Sequence, residues 1–383
     1  MLSSSRLEIS RSALKHNLNL IRDYVGDDVN FASVIKGNAY GHSIEAFVPI
    51  AEECGINYFG VYSADEAFRV HQMASENTHI MIMGSIENED LSWAIKKGIS
   101  FFVFDFDRLE GALEKAQILG MKARIHVEVE TGLNRTGFNH QQVRKVLTLL
   151  KEYREHFYLE GLCTHYAGAE SIANDNRIRK QYKQFNLYYK KFVKFGIPPK
   201  YRHTACSAAM MSYPKTRMDM VRIGILQYGF WPSRETFINY ISKRDDKTDP
   251  LKRVISWKSK VMVTKDINEG EFVGYGTTYL AGENMKVAVV PVGYANGYSR
   301  SLSNQGRVLI NDKRVPIVGI VNMNVLLVDI SEIPETKKGD EVILIGNKNG
   351  ISISVAAFGE LSNQLNYELL TRLPLDIPRI IVD

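Results

Sequence analysis

Phe31-Ala-Ser-Val-Ile-Lys36 is an apolar run that ends on a lysine, and Gly37-Asn-Ala-Tyr-Gly-His42 continues it as a polar turn. A lysine there has its stem held by a buried strand and its amine aimed into whatever cleft the turn lines. Partial desolvation lowers an ammonium's pKa and makes the amine a nucleophile toward an aldehyde. The plainer reading is a surface lysine that ends a strand, since lysine is seldom buried. Other reactive types recur at the ends of later apolar runs. Tyr40 follows the lysine, Arg135 closes Glu128-Val-Glu-Thr-Gly-Leu-Asn-Arg135, His165 ends another run, and His203, Ser207, Arg222 and Gly224 follow. Singly, these are a core histidine, a helix cap or half of an ion pair. Together they are an amine, two imidazoles, two guanidinium groups and donors fit for a phosphate.

The elements that must hold them alternate. Strand-like runs at 31–36, 58–62, 79–84, 99–105, 123–130, 159–165, 201–206 and 220–226 are separated by helix-length segments, the rhythm of βα units. Many are nearly continuous apolar stretches, as strands buried on both faces are. In 107–120, Leu109, Ala112, Leu113 and Ala116 mark one helix face with Gly120 as a stop, and 174–195 is a longer, strongly polar helix. Eight such strands suggest a closed parallel (β/α)8 TIM-type barrel over 1–242; a doubly wound open sheet is the alternative. In a barrel, the residues above gather at the C-terminal ends of the strands.

Past the polar stretch Ser242–Pro250 the pattern becomes strand after strand, at 254–265, 272–280, 286–292, 307–310, 315–321, 325–330 and 341–345. That predicts a mainly β C-terminal domain over 243–383, with Gly270, Gly282 and Gly339 as turn residues. One helix, Ser354–Leu370, and a last strand, Arg379–Val382, complete it.

Composition sets outer bounds. The net charge of +5 is spread out, and its densest cluster, Lys243-Arg244 with Lys247, is broken by Asp245 and Asp246, so nucleic-acid binding has no support. Three cysteines without CxxC spacing argue against a disulfide framework, and Cys163 and Cys206 beside His165 and His203 are too weakly spaced for a metal site. No stretch reaches the ~20 apolar residues of a membrane span, and the start lacks an apolar leader, so a cytoplasmic protein is expected.

Val34-Ile-Lys-Gly-Asn-Ala-Tyr-Gly-His42 resembles the pyridoxal-phosphate signature of the alanine racemase family. Cys206-Ser-Ala-Ala, Met220-Val-Arg-Ile-Gly-Ile225, Gly274-Tyr-Gly-Thr-Thr-Tyr279, Pro291-Val-Gly-Tyr-Ala-Asn-Gly297 and Asn366-Tyr-Glu368 match in the family's order. The resemblance implies pyridoxal 5'-phosphate carried on Lys36. Its phosphate would be held by Tyr40, Ser207, Gly224, Ile225 and Tyr367, and its ring nitrogen would face Arg222, itself placed by His203. A guanidinium does not hand over its proton, so the ring would stay a weaker electron sink.

The family's reaction, racemisation between L- and D-alanine, needs proton transfer on both faces of the α-carbon. The resemblance assigns Lys36 to one face and Tyr275 of the partner subunit in a homodimer to the other, with His165 beside that tyrosine. Arg135 and Met323 would bind the substrate carboxylate, and Tyr294, Arg300 and Tyr367 would narrow the access channel. D-alanine for peptidoglycan is the implied role. Three positions depart from the family pattern. Glu128 stands where a carbamylated lysine is frequent and is expected to pair with Arg135, Asn324 replaces an aspartate, and Glu170 replaces a shorter acid. A broad-specificity or serine racemase on the same fold, or a non-catalytic pyridoxal-phosphate-binding protein, remains as an alternative.

Overall fold

The computed structural model describes residues 3–355 and 366–383, excepting the side chains of Asn366 and Tyr367. It contains two compact units: Leu14–Ala39 with Phe47–Lys252, and the described parts of Met1–Ala13, Tyr40–Ala46 and Arg253–Asp383. The first strand, β1 (Ser5–Ser10), belongs to the second of these units.

The larger unit is the eight-stranded parallel sheet that the βα rhythm predicts. Its strands are β2 (Asn30–Val34), β3 (Tyr58–Val61), β4 (His79–Ile82), β5 (Ser100–Val103), β6 (Ala123–Glu128), β7 (Phe157–Cys163), β8 (Tyr201–His203) and β9 (Met220–Ile223). Each of β2 to β7 pairs in parallel with the next, and β9 pairs with β2. An open doubly wound sheet has no such return. The chain just past β8 meets β9 through one bridge, Cys206 to Arg222, with the Arg222 N–H donating to the Ala205 carbonyl at 2.9 Å. The result is a nearly closed barrel.

Burial explains why these segments are strands. All four residues of β3 and of β5 are buried, as a sheet covered on both faces requires. The helices show one apolar stripe each. Val143, Val146, Leu147 and Leu150 are the buried positions of Gln142–Glu152. Ile178, Gln181, Phe185, Tyr188 and Phe192 are those of Asp175–Lys194, so the lysines and arginines of that helix occupy its remaining faces. Helix Phe106–Leu119 starts where the Asp105 carboxylate accepts from the Arg108 N–H at 2.9 Å and stops at Gly120 with φ 60°.

The second unit holds β10 (Ile255–Lys260), β11 (Val263–Ile267), β12 (Met285–Val290), β13 (Arg307–Ile310), β14 (Lys313–Pro316), β15 (Leu326–Asp329), β16 (Glu341–Lys348), β17 (Ile351–Ile353) and β18 (Arg379–Val382). One sheet runs β14-β13-β16-β10-β1-β18 with β17 on β16; the other is β11-β12-β15. β1 and β10 both alternate buried and part-exposed residues, the signature of half-buried antiparallel strands. They pair with Leu7 opposite Trp257, while Lys258 reaches Glu8 at 2.8 Å on the wetter face.

Several expected strands change. The 254–265 run breaks into β10 and β11. Over 272–280 there is only a bridge from Phe272 to Leu280, because Gly274 and Gly276 take φ 77° and 69° and turn the chain. Residues 315–321 yield only the end of β14. Of the expected helix Ser354–Leu370, residues 356–365 lie outside the described residues, and Asn366–Thr371 is helical. Among the described residues no helix is long and apolar enough to cross a membrane.

Candidate active site

Lys36 follows β2 by two residues and begins a turn of left-handed helix. Gly37, Asn38 and Ala39 have φ of 62°, 54° and 53° with ψ of 45°, 52° and 48°, and Tyr40 continues at φ 52°. Such a conformation costs an L-residue roughly 1–2 kcal/mol, so neighbouring groups must hold it. Buried Glu66 does much of this: Oε1 accepts from the Asn38 N–H at 3.0 Å and Oε2 from the Tyr62 N–H at 2.9 Å. Arg69 donates to Asn38 Oδ1 at 2.6 Å, and the Ala39 N–H to the Ile35 carbonyl at 2.7 Å. Within the mainly β unit, the Tyr40 carbonyl accepts from His42 Nδ1 at 3.0 Å, and a Cβ on Gly41 would overlap the Leu370 carbonyl.

The pKa of Lys36 is lowered, first by burial of its amine and then by the positive charge of Arg135, with Arg222 adding to it. Its side chain keeps solvent-accessible area. The positive charges of Arg135 and Arg222 act on the amine despite that exposure. Burial, then Arg222, Arg135 and Lys36, pushes His165 down to about 3. Lys36, Arg135, His165 and Arg222 therefore share one electrostatic neighbourhood at the C-terminal end of the barrel.

Arg222 lies buried in β9 and is held on three sides. Nη1 donates to His203 Nδ1 and to the His203 carbonyl, both at 2.6 Å, and Nη2 to the Thr164 carbonyl at 2.8 Å. His203 is thus a hydrogen-bond partner of Arg222 through both its ring and its carbonyl. Ser207 opens helix Ser207–Ser212, and its Oγ accepts from the Gly224 N–H at 3.0 Å. Gly224, at φ −105° and ψ −100°, leads straight into the 3-10 turn Ile225–Tyr228. Two helical starts are thereby joined side by side, each presenting backbone N–H groups.

The expected pair of Glu128 with Arg135 does not form. Among the described residues no ion pair within 4.0 Å links them; Glu128 Oε2 accepts instead from Thr136 Oγ1 at 2.8 Å. Glu128 is buried at the end of β6, whereas Arg135 sits on the exposed loop beyond it. Burial raises the Glu128 pKa, against the pull of the Thr136 hydroxyl.

Tyr275, Tyr294, Arg300, Met323 and Asn324 lie on the mainly β unit and are all exposed. Tyr275 is 73% exposed, between the two left-handed glycines. The loops of Tyr294 and Met323 are tied together, the Tyr294 N–H donating to the Asn322 carbonyl at 3.0 Å and the Ala295 N–H to the Met323 carbonyl at 2.9 Å. The Tyr367 side chain lies outside the described residues.

Two residues escaped the sequence reading. Glu66 looks there like an ordinary acid in the first turn of helix Ala64–Met73. His126 had a signal. Arg124, His126 and Glu128 recur at the two-residue period of β6, marking a polar face on an otherwise apolar strand. His126 Nδ1 lies 2.8 Å from His203 Nε2.

These imidazoles make stability depend on pH. Burial lowers His126 to about 4, takes His165 to about 3 and puts His203 well below the ordinary range. Each is neutral when folded and takes up a proton when unfolded. Stability is therefore complete above about pH 6.5 and falls as the pH drops toward 4, by up to about 1.4 kcal/mol per pH unit for each histidine. Urea unfolding between pH 4.5 and 7.5 checks this; a flat profile would contradict it.

The comparisons with known proteins cover both units. Residues 9–232 match the family model "Alanine racemase, N-terminal domain" and residues 254–381 "Alanine racemase, C-terminal domain". The alanine racemase of Leptospira interrogans (strain Fiocruz L1-130) is 33% identical over 99% of this chain and 96% of its own length. The solved alanine racemase of Clostridium difficile 630 superposes with a TM-score of 0.91 at 29% identity, covering 100% of this chain and 96% of that one. That of Bacillus anthracis, solved with bound L-Ala-P, gives 0.88 at 30%, with the same coverage. Matched from the first barrel strands to the last strand of the β unit, this chain belongs to the alanine racemase family.

Proposed function

We propose that the protein interconverts L- and D-alanine with pyridoxal 5'-phosphate, working as a homodimer in the cytoplasm and supplying D-alanine for peptidoglycan. The observation that carries this is a lysine of lowered pKa set among Arg135, His165 and Arg222 on a chain of this family.

The donor set fits the cofactor. Lys36 offers an amine, more of it neutral near pH 7 than in a free lysine. Ser207 and the N–H groups of the Gly224–Ile225 segment suit a doubly charged phosphate, with Tyr40 and Tyr367 as further donors. Arg222 suits an unprotonated ring nitrogen, because it can only donate. Bound pyridoxal phosphate supplies the electron-withdrawing ring that lets an α-proton leave the attached amino acid.

The chain's own residues do the rest. Arg135 holds the substrate carboxylate, together with Met323 of the partner subunit. The Lys36 amine takes or returns the α-proton on one face, and the phenol of Tyr275 of the partner subunit does so on the other, next to His165. Exposure of Tyr275, Tyr294, Met323, Phe272 and Leu280 on one unit supports a subunit contact there.

Purified protein with added cofactor should turn L-alanine into an equal mixture of enantiomers, read by chiral chromatography, and D-alanine likewise. No D-alanine formation would overturn the assignment in favour of a carrier. Serine, lysine and arginine should be turned over progressively less well if Tyr294, Arg300 and Tyr367 narrow the channel; equal rates would indicate a broad-specificity enzyme.

Glu128 brings a carboxylate without any modification. Activity is therefore expected to be unchanged in buffer stripped of carbon dioxide and bicarbonate. Loss of turnover in that buffer, restored by bicarbonate, would show that a carbamate elsewhere is required.

A further inference from the structure

A line of buried polar side chains crosses the barrel interior from Arg222 toward the N-terminal ends of the strands. Arg222 Nη1 meets His203 Nδ1 at 2.6 Å, and His203 Nε2 meets His126 Nδ1 at 2.8 Å. His126 Nε2 lies 3.1 Å from the Tyr58 hydroxyl and 3.2 Å from Ser100 Oγ. The Tyr58 hydroxyl donates to Glu160 Oε1 at 3.1 Å, and Ser100 Oγ to the Ile80 carbonyl at 3.2 Å. Glu160 ends the line, gripped by Arg124 through Nε at 2.8 Å and Nη2 at 3.0 Å.

The chemistry of the two ends decides every proton between them. A guanidinium only donates, so His203 Nδ1 must be bare and its proton must sit on Nε2. That proton points at His126 Nδ1, which must therefore be bare as well. His126 then carries its proton on Nε2 and donates to Tyr58 or Ser100. At the far end an ionised carboxylate only accepts, and Arg124 keeps Glu160 ionised although burial opposes it. The chain runs one way, from cation to anion, and a second proton on either imidazole would set two donors face to face.

The barrel makes room for this. Gly161 on β7 is paired with His126 on β6 and with Tyr201 on β8, and it faces the meeting point of the His126 and His203 rings. A Cβ at Gly161 would overlap both rings. The glycine is required by the histidine pair rather than by a turn.

We propose that His126 is a positioning residue for the racemase site: seated over Gly161, its bare Nδ1 accepts the Nε2 proton that Arg222 leaves on His203, and so holds the His203 ring and, through it, the aim of Arg222 toward the cofactor ring. This rests on the reaction assigned above, but the tautomers themselves do not. Tyr58 and Ser100 are alternative acceptors for the same His126 proton, so neither is needed alone; Glu160 with Arg124 sets the direction.

The test is histidine-selective nitrogen-15 NMR on the full-length protein, with and without pyridoxal phosphate, with signals assigned by His203→Gln. His203 and His126 should both appear as Nε2–H. In His126→Phe His203 should stay Nε2–H, as Arg222 requires, but its Nε2–H proton, having lost its acceptor, should move upfield and exchange faster with water, and kcat should fall about 10- to 100-fold with KM within about twofold, as when an orienting partner is lost. In His126→Asn, whose Oδ1 can stand near the lost Nδ1, the hydrogen-bonded His203 Nε2–H signal and most of kcat should return. Should His126→Phe fail to fold, Tyr58→Phe with Ser100→Ala removes both acceptors of the His126 Nε2 proton with little change of volume and should loosen the His203 Nε2–H signal in the same way, while Tyr58→Phe alone should not. Nδ1–H on His203 in the unaltered protein, or an unchanged His203 signal in folded His126→Phe, overturns the proposal. Tautomers as expected in a protein that does not racemise alanine would support the relay and overturn the reaction.

Discussion

Replacing Tyr275 with phenylalanine is expected to lower racemisation about 10²- to 10⁴-fold, the usual loss when a positioned acid or base is removed. Cofactor uptake should be unaffected. Among the described residues the Tyr275 hydroxyl has no hydrogen-bond partner, and the ring stands 73% exposed. Removing one oxygen there should leave the fold's stability within about 0.5 kcal/mol. A rate loss without a stability loss then identifies a chemical role. The loss should be equal in the L-to-D and D-to-L directions, because either direction needs both faces of the α-carbon. Chiral chromatography from each enantiomer, with a melting curve on the same sample, checks the expectation. Retention of more than a tenth of the wild-type rate would remove Tyr275 from the proposed mechanism.

Lys36→Ala should be more damaging, by at least about 10⁴-fold, since it deletes both the attachment point and one proton-transfer group. Borohydride reduction followed by mass spectrometry should find the cofactor mass on the native chain and not on the variant. The lowered pKa adds a pH expectation. The neutral amine is the reactive form, so covalent capture should speed up as pH rises and level off below the ordinary lysine value of 10.5. Capture that keeps accelerating to that value would mean that the barrel does not tune Lys36. An adduct surviving in Lys36→Ala would point to another lysine.

Much of this architecture was legible locally. Runs such as Tyr58–Val61 and Ser100–Val103 are apolar on both faces, which only a covered parallel sheet satisfies, and the amphipathic spacing of Gln142–Glu152 marks its covering helices. The rim residues were legible for the same reason: a polar side chain just past a buried strand has one end of the barrel to point to. The 272–280 run misled because its aromatic and β-branched composition reads as strand, while Gly274 and Gly276 decide the backbone.

The chain's order of residues by itself determined the eight βα units, the placing of Lys36, His165, His203 and Arg222 at strand ends, and the family. Only the tertiary structure decided that Ser5–Ser10 joins the sheet of the C-terminal strands, that Glu66 secures a left-handed turn, that Glu128 turns to Thr136 instead of Arg135, and that His126 meets His203 over Gly161. The reason is physical. Periodicity along a strand says which way a side chain points, but a hydrogen bond between strands depends on their register and on how the barrel closes, and neither is written in any single segment.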